Sequence, residues 1–327
     1  MSTKASIVNR QDASEPDALE QGSHSQTASK THGQADSIRY NVILGCPRSG
    51  TTFLFDALQA LPYSEASSGH LFPLSLAHIV NQPISPEIYQ CLLRSFQFSI
   101  NDFLEAIGNS RVRSLHKWLT GSMTTPALWQ RLQRTRQIER FVYKEPFLSF
   151  APEFVYEALP AGRIVHIYRD GRDCADSLMR KYKVLSDQKL TSLHTAEMPL
   201  GRKYDHRYVP WWVETGSEQA FLDQTPFVRS IWMWREMVRR CHEVFSQPEV
   251  VASNRVLLVK YEDLVTDPMK YGEVVVNHFG CTMNDQLRKK FQGARRSSIG
   301  VYRRRDAAEI AAAEQIAGAE LALYGYL

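Results

Sequence analysis

Eight residues, Gly45-Cys46-Pro47-Arg48-Ser49-Gly50-Thr51-Thr52, constrain this chain more than any others. They follow an apolar run, Tyr40-Asn41-Val42-Ile43-Leu44, and precede a segment ending at Leu61. The run predicts a buried strand. The later segment puts Phe53, Leu54, Ala57, Leu58 and Leu61 on one helical face before Pro62 ends it. A strand, a glycine-bearing loop and a helix start expose several backbone N–H groups at the positive end of a helix dipole, which makes an anion site. A nucleoside triphosphate loop of the type Gly-x4-Gly-Lys-Ser/Thr has lysine where this chain has Thr51. Here the cation, Arg48, lies inside the loop instead. Such a loop can cradle a phosphate but lacks the usual handle for a triphosphate–magnesium pair.

The remaining pattern places this unit in a larger sheet. Arg140-Phe141-Val142-Tyr143, Arg163 to Tyr168 and Arg255 to Lys260 read as further strands, several of them almost continuously apolar. Helical stretches separate them: one broken near Pro83 and Pro86 and running on to Gln137, one from Cys174 to Lys181, and one from Ile231 to Phe245. An Asp306-x-x-Glu309 capping box opens a C-terminal helix. Alternation of this kind predicts an α/β fold, a single P-loop-like domain whose central parallel β-sheet is flanked by helices. Ligands of such sheets bind beyond the carboxyl ends of the strands. Arg48, Lys144 and Arg169 follow three of the four strands there, as a site for an anion requires.

Residues 1–37 contain no Phe, Tyr or Trp, so they are expected to be a disordered tail, with the folded domain spanning 38–327. Within it, 182–230 shows no clean period and reads as an irregular acceptor-side excursion that orders on binding, with Trp211 and Trp212 as contacts. The chain carries a formal charge of +4, too modest and too spread to argue for nucleic acid, and better suited to a small polyanion. Five scattered cysteines without a C-x-x-C pair point to reduced thiols rather than a disulfide frame or zinc site. With no stretch apolar enough to span a bilayer and no signal-peptide pattern, the expectation is a cytoplasmic protein without a membrane span or metal. Oligomeric state is unreadable.

Ser177 lies eight residues after Arg169 and Lys181 one helical turn further on, so arginine, hydroxyl and ammonium can converge on one phosphate. In isolation, an Arg169 paired with Asp170 or Asp173 explains the arginine equally well. Taken together, however, the motifs resemble those of sulfotransferases that use 3′-phosphoadenosine 5′-phosphosulfate (PAPS). Pro47 to Thr52 resembles the 5′-phosphosulfate loop, and the Arg169–Ser177 spacing resembles the 3′-phosphate motif. Tyr261-Glu262-Asp263-Leu264 is similar to the strand-end element whose tyrosine lies against the adenine. Ser297 to Arg304 resembles the loop that folds over the cofactor in the bacterial and tyrosylprotein branches.

The resemblance implies Arg48, Ser49, Gly50, Thr51, Thr52, Arg169, Ser177, Lys181, Tyr261, Ser298, Ile299, Gly300 and Arg303 as cofactor contacts. It implies Arg48 and Lys144 as the cations that stabilise charge on the departing phosphate. There are departures: cytosolic small-molecule enzymes carry lysine in the first loop and a Lys-x-His element, where this chain has Arg48 and Lys144-Glu145-Pro146. The tyrosylprotein branch has its glutamate base in a Gly-Glu stretch after the first helix. The matching place here is Gly69-His70, so His70 is the expected base, with Glu65 and Glu145 as competitors. The implied reaction moves a sulfuryl group to a hydroxyl or amine of a partly apolar small molecule. A P-loop kinase, lacking its lysine, and a non-catalytic nucleotide binder are the alternatives.

Overall fold

The computed structural model describes residues 38–327 apart from 70, 73, 106–109, 133–137, 184 and 194–199. Five parallel strands form the central sheet: β1 (Arg39–Leu44), β2 (Ser64–Ser68), β3 (Arg140–Lys144), β4 (Arg163–Tyr168) and β7 (Val256–Lys260), in the order β2-β3-β1-β4-β7. Strands β5 (Gly201–Tyr204) and β6 (Arg207–Pro210) form a separate antiparallel hairpin. The four strands expected from the sequence are all present.

Period-two alternation decides which side chains enter which half of the core. Val42 and Leu44 of β1 face one layer and Ile43 the other; Phe141 and Tyr143 of β3 are divided from Val142 in the same way. One layer packs on the 20-residue helix Pro226–Phe245 and on the C-terminal helix Ala307–Leu323. The other packs on the first helix, Thr51–Leu58, and on Pro268–His278 and Asp285–Gln292. Because both faces are covered, the inner strands have no need of a polar side.

Edge strand β2 is the exception, and its sequence, Ser-Glu-Ala-Ser-Ser, gives no strand signal. Cations from the neighbouring helices cover its open edge. Lys117 and Arg131 donate to Ser64 O at 2.9 and 3.1 Å, and Arg113 donates to Ala66 O at 2.7 Å. The same three cations surround Glu65, at 3.7, 4.0 and 2.9 Å respectively. An edge with its carbonyls occupied cannot recruit another strand.

The stretch 182–230, expected to be irregular, contains the short helices Asp187–Leu190 and Glu218–Leu222 and the β5–β6 hairpin. The long helix starts at Pro226 rather than Ile231: Thr225 caps it by accepting from the Val228 amide, and proline suits the first turn. The helical region ahead of β3 is divided into Leu76–Val80, Pro86–Phe103, Arg111–Leu119 and Thr125–Leu132. The 1–37 tail lies outside the described residues. No helix among the described residues is long and apolar enough to cross a membrane.

Candidate active site

The loop between β1 and the first helix is held from below and open above. Gly45 has φ 147°, and a Cβ there would lie 2.2 Å from Ile167 O. Its amide donates to Ser149 Oγ at 2.8 Å, and Ser49 Oγ donates to Ile167 O at 3.0 Å. Ser49, expected to touch the ligand, is fully buried and its hydroxyl is committed to β4. Gly50, at φ 102°, caps the helix; a Cβ there would meet the Tyr261 ring at 2.5 Å. No side chain caps this helix and no acid lies in its first turn, so its leading N–H groups remain the attractive end of the dipole. Arg48 has φ 77°, a conformation that costs a non-glycine residue energy and is typical of functional loops.

Two strand ends meet at this loop. Arg48 Nε donates to Ser177 Oγ at 2.9 Å, joining the loop to the helix Gly171–Tyr182. Arg169, at the end of β4, donates to Arg48 O at 3.2 Å and to Ser298 O, pairs with Asp173 at 3.4 Å, and lies 4.7 Å from the Tyr261 ring centroid. The sequence-level alternative of an Asp173 pair is therefore present alongside the cluster. Asp173 also accepts from the amides of Gly300 at 2.7 Å and Tyr302 at 3.2 Å. Tyr261 Oη and Ser298 Oγ are 3.0 Å apart. These contacts seat the 298–302 loop beside Arg169. Arg169 is 4% exposed, and its Nε is a buried donor with no partner among the described residues. Trp234 Nε1 donates to Arg169 O at 3.0 Å, so the long helix fixes the strand end from behind.

On the other side of Arg48 lies a cavity of about 710 Å3, lined among others by Thr51, Thr52, Gly69, Lys144 and Glu145. Lys144 ends β3 and stands 5.9 Å from the Phe55 ring. Glu145 is buried and accepts from the Phe147 amide at 3.1 Å. A Cβ on Gly69 would lie 3.3 Å from Glu145 Oε2, so the chain next to residue 70 runs beside this carboxylate.

Most expected contacts thus fall into one continuous region: Arg48, Thr51, Thr52 and Lys144 at the cavity, and Arg169, Ser177, Tyr261, Ser298 and Gly300 beyond Arg48. Lys181 and Arg303 are exposed and lie against Tyr182 and Tyr302, at 5.3 and 5.9 Å. Ile299 is 40% exposed. His70, the expected base, lies outside the described residues. Its competitor Glu65 is 1% exposed, held by three cations, and absent from the cavity lining, which makes it an element of the sheet edge. Trp211 and Trp212 do not line the cavity either. Trp212 stacks on Phe150 at 5.6 Å, and Trp211 lies 5.0 Å from His78 and 5.4 Å from Phe150, so both serve packing. Arg305 pairs with Asp176 at 2.9 Å. Trp234 carries no signal of a site in the sequence; only the fold brings its indole N–H to the Arg169 carbonyl.

Residues 42–223 match a family model described as "Sulfotransferase family", more than half of the chain. The chain belongs to the sulfotransferase family. The matched stretch holds the loop, Lys144, Arg169 and Ser177; Tyr261 and the 298–303 loop lie beyond it. This sulfotransferase is similar to the sulfotransferase domain of the Synechococcus PCC 7002 olefin synthase, with 17% identity, TM-score 0.44, and coverage of 86% of this chain and 94% of that one. It is similar to sulfotransferase STF9 from Mycobacterium avium, with 16% identity, TM-score 0.47, and coverage of 90% and 80%. It also resembles mouse sulfotransferase SULT7A1 complexed with PAP, with 14% identity, TM-score 0.38, and coverage of 80% and 67%. No protein of curated function matches the sequence.

Proposed function

We propose that this sulfotransferase takes its sulfuryl group from PAPS and passes it to a hydroxyl or amine of a small, partly apolar acceptor. The observation carrying this reading is the buried Arg169, its Nε unpartnered among the described residues, bonded to the carbonyl of Arg48, whose side chain holds Ser177, at a loop whose helix start no acid neutralises. The donor set is cationic and rich in N–H groups, which fits a nucleotide with phosphates at two positions. Arg169 and Ser177 would hold the 3′-phosphate, with Gly300, its amide given to Asp173, turning the 298–302 loop beside them, and the Arg48–Thr52 loop would hold the 5′-phosphosulfate. Tyr261 would lie against the base; Ser298, Ile299, Lys181 and Arg303 would complete the enclosure. PAPS supplies an activated sulfuryl group whose leaving oxygen gains charge as it departs. Arg48, Lys144 and the loop amides stand where that charge is stabilised best, and such preorganised donors are a leading catalytic term. The reduced thiols Cys46, Cys174 and Cys241 agree with work in a cytoplasm.

His70 is proposed as the base, because Gly69 lines the cavity and imidazole titrates near neutrality. His70→Ala should lower kcat about 10²–10⁴-fold and leave PAP affinity unchanged. Glu65→Gln should lower stability instead, since it leaves the buried Lys117 and Arg131 and the half-buried Arg113 without their carboxylate. Turnover with labelled PAPS tests the whole reading. Labelled acceptor and PAP should appear together, and no phosphorylated product should form from ATP–Mg. Normal turnover by His70→Ala would move the base to Glu145.

A further inference from the structure

The acceptor side of the cavity is aliphatic. Beyond the donor loop its wall is built from Leu178, Leu185, Leu190, Leu193, Leu200 and Met233. Four of these, Leu178, Leu185, Leu190 and Met233, are 2–5% exposed, so the wall is part of the packed interior rather than a surface patch. Besides the residues of the donor loop and of the β2 and β3 ends, the described lining offers Lys189, Ser192, Leu74 and the rings of Phe147 and Tyr182. Four of the six aliphatic side chains come from the short stretch 185–200. There Leu185 is held at φ 61°, a left-handed conformation unfavourable for a branched side chain, and its carbonyl accepts from the buried Arg229 at 3.0 Å. A conformation that must be held by a buried arginine, and that leaves a leucine in the cavity wall, marks a built feature.

We propose that the acceptor is an open-chain aliphatic alcohol, its hydroxyl at Lys144 and Glu145 and its chain along the leucine wall. This rests on the PAPS reading above. A sugar would bring several hydroxyls against six aliphatic side chains, more than Lys189 and Ser192 can pair, and each buried unpaired hydroxyl is penalised. An alkyl chain brings none. The alcohol oxygen forms a bond to sulfur as the bond from sulfur to the 5′-phosphate oxygen breaks. The hydroxyl proton passes to the base, and the products are an alkyl sulfate and PAP. An aliphatic hydroxyl keeps its proton at neutral pH, so its transfer needs a base within the cavity. Gly69, which precedes the proposed base His70, lines it, as does Glu145.

The test is kcat/KM with labelled PAPS for 1-butanol, 1-hexanol, 1-octanol, 4-nitrophenol and glucose, with PAP-induced stabilisation measured in parallel. Transfer of a methylene from water to an apolar wall predicts a gain of about fourfold per CH2 along the alcohol series. 1-Octanol should exceed 4-nitrophenol and glucose by at least tenfold. Leu190→Asp and Leu193→Asp should each flatten the chain-length dependence while PAP still raises their melting temperature as in the parent. A wild-type series independent of chain length, or glucose equal to 1-octanol, overturns the inference while PAP stabilisation leaves the donor reading standing. A wild-type protein that PAP does not stabilise overturns the donor reading, and this inference with it.

Discussion

At the scale of single residues, the site depends on side chains that hold each other before any ligand is considered. Arg169 touches Arg48, Ser298, Asp173 and Tyr261, so it joins four segments of the chain. Removing it should cost both a phosphate contact and the seat of the 298–302 loop. Arg169→Ala should therefore weaken PAP binding at least tenfold, as expected for losing a charge-assisted contact of about 1.5–3 kcal/mol. Adenosine 5′-phosphosulfate, without the 3′-phosphate, should be affected much less. An unchanged ratio of the two affinities by titration calorimetry would show that Arg169 does not read the 3′-phosphate. That Arg48 and Arg169 follow strands and Ser177 lies early in the next helix was legible in the sequence, and the fold brings them together with Tyr261. The contributions of Asp173 and Trp234 were not legible. An aspartate four residues after an arginine is ordinary, and nothing local says that its carboxylate also receives two amides from a loop 127 and 129 residues later.

At the scale of elements, strands with two buried faces were readable and those shaped by their surroundings were not. β2 is a strand because β3 pairs with it and because three cations cover its far edge; its five residues alone favour a turn. The helices and hairpin within 182–230 were not readable for a related reason, since they are short and the aromatic residues there answer to a tertiary partner. Trp212, 8% exposed between Phe150 and Phe221, should therefore behave as core. Trp212→Ala should cost about 3–5 kcal/mol of stability in urea melts, with acceptor KM unchanged in the folded fraction. A raised KM at full stability would return this residue to the acceptor site.

His166 in β4 gives a second test at this scale. It is 1% exposed among Tyr168, Phe245 and Tyr324, neither ring nitrogen has a partner among the described residues, and burial pulls its pKa down from 6.5 to about 3. Between those values the unfolded chain holds a proton that the native state does not. Stability must then fall as pH drops below 6.5, by up to about 1.4 kcal/mol per unit. His166→Leu should remove that slope between pH 6.5 and 5. A slope identical to the parent's would show that this imidazole does not stay neutral in the native state.

At the scale of the whole molecule, the chain places three cation-bearing strand ends, an uncapped helix start and a C-terminal loop at one end of a parallel sheet, with an aliphatic cavity alongside. On the proposed reading that arrangement takes PAPS rather than a triphosphate: the loop lacks the lysine that a triphosphate needs, and Arg169 and Ser177 would hold the 3′-phosphate. Thermal melting with PAP and with ATP–Mg, each at equal concentration, tests this most directly. At a hundred times its Kd, PAP should add about 2.7 kcal/mol of stability, a rise of roughly 4–5 °C for a domain of this size. ATP–Mg should leave the melting temperature nearly where it was. No rise with PAP, or an equal rise with ATP–Mg, would contradict the account.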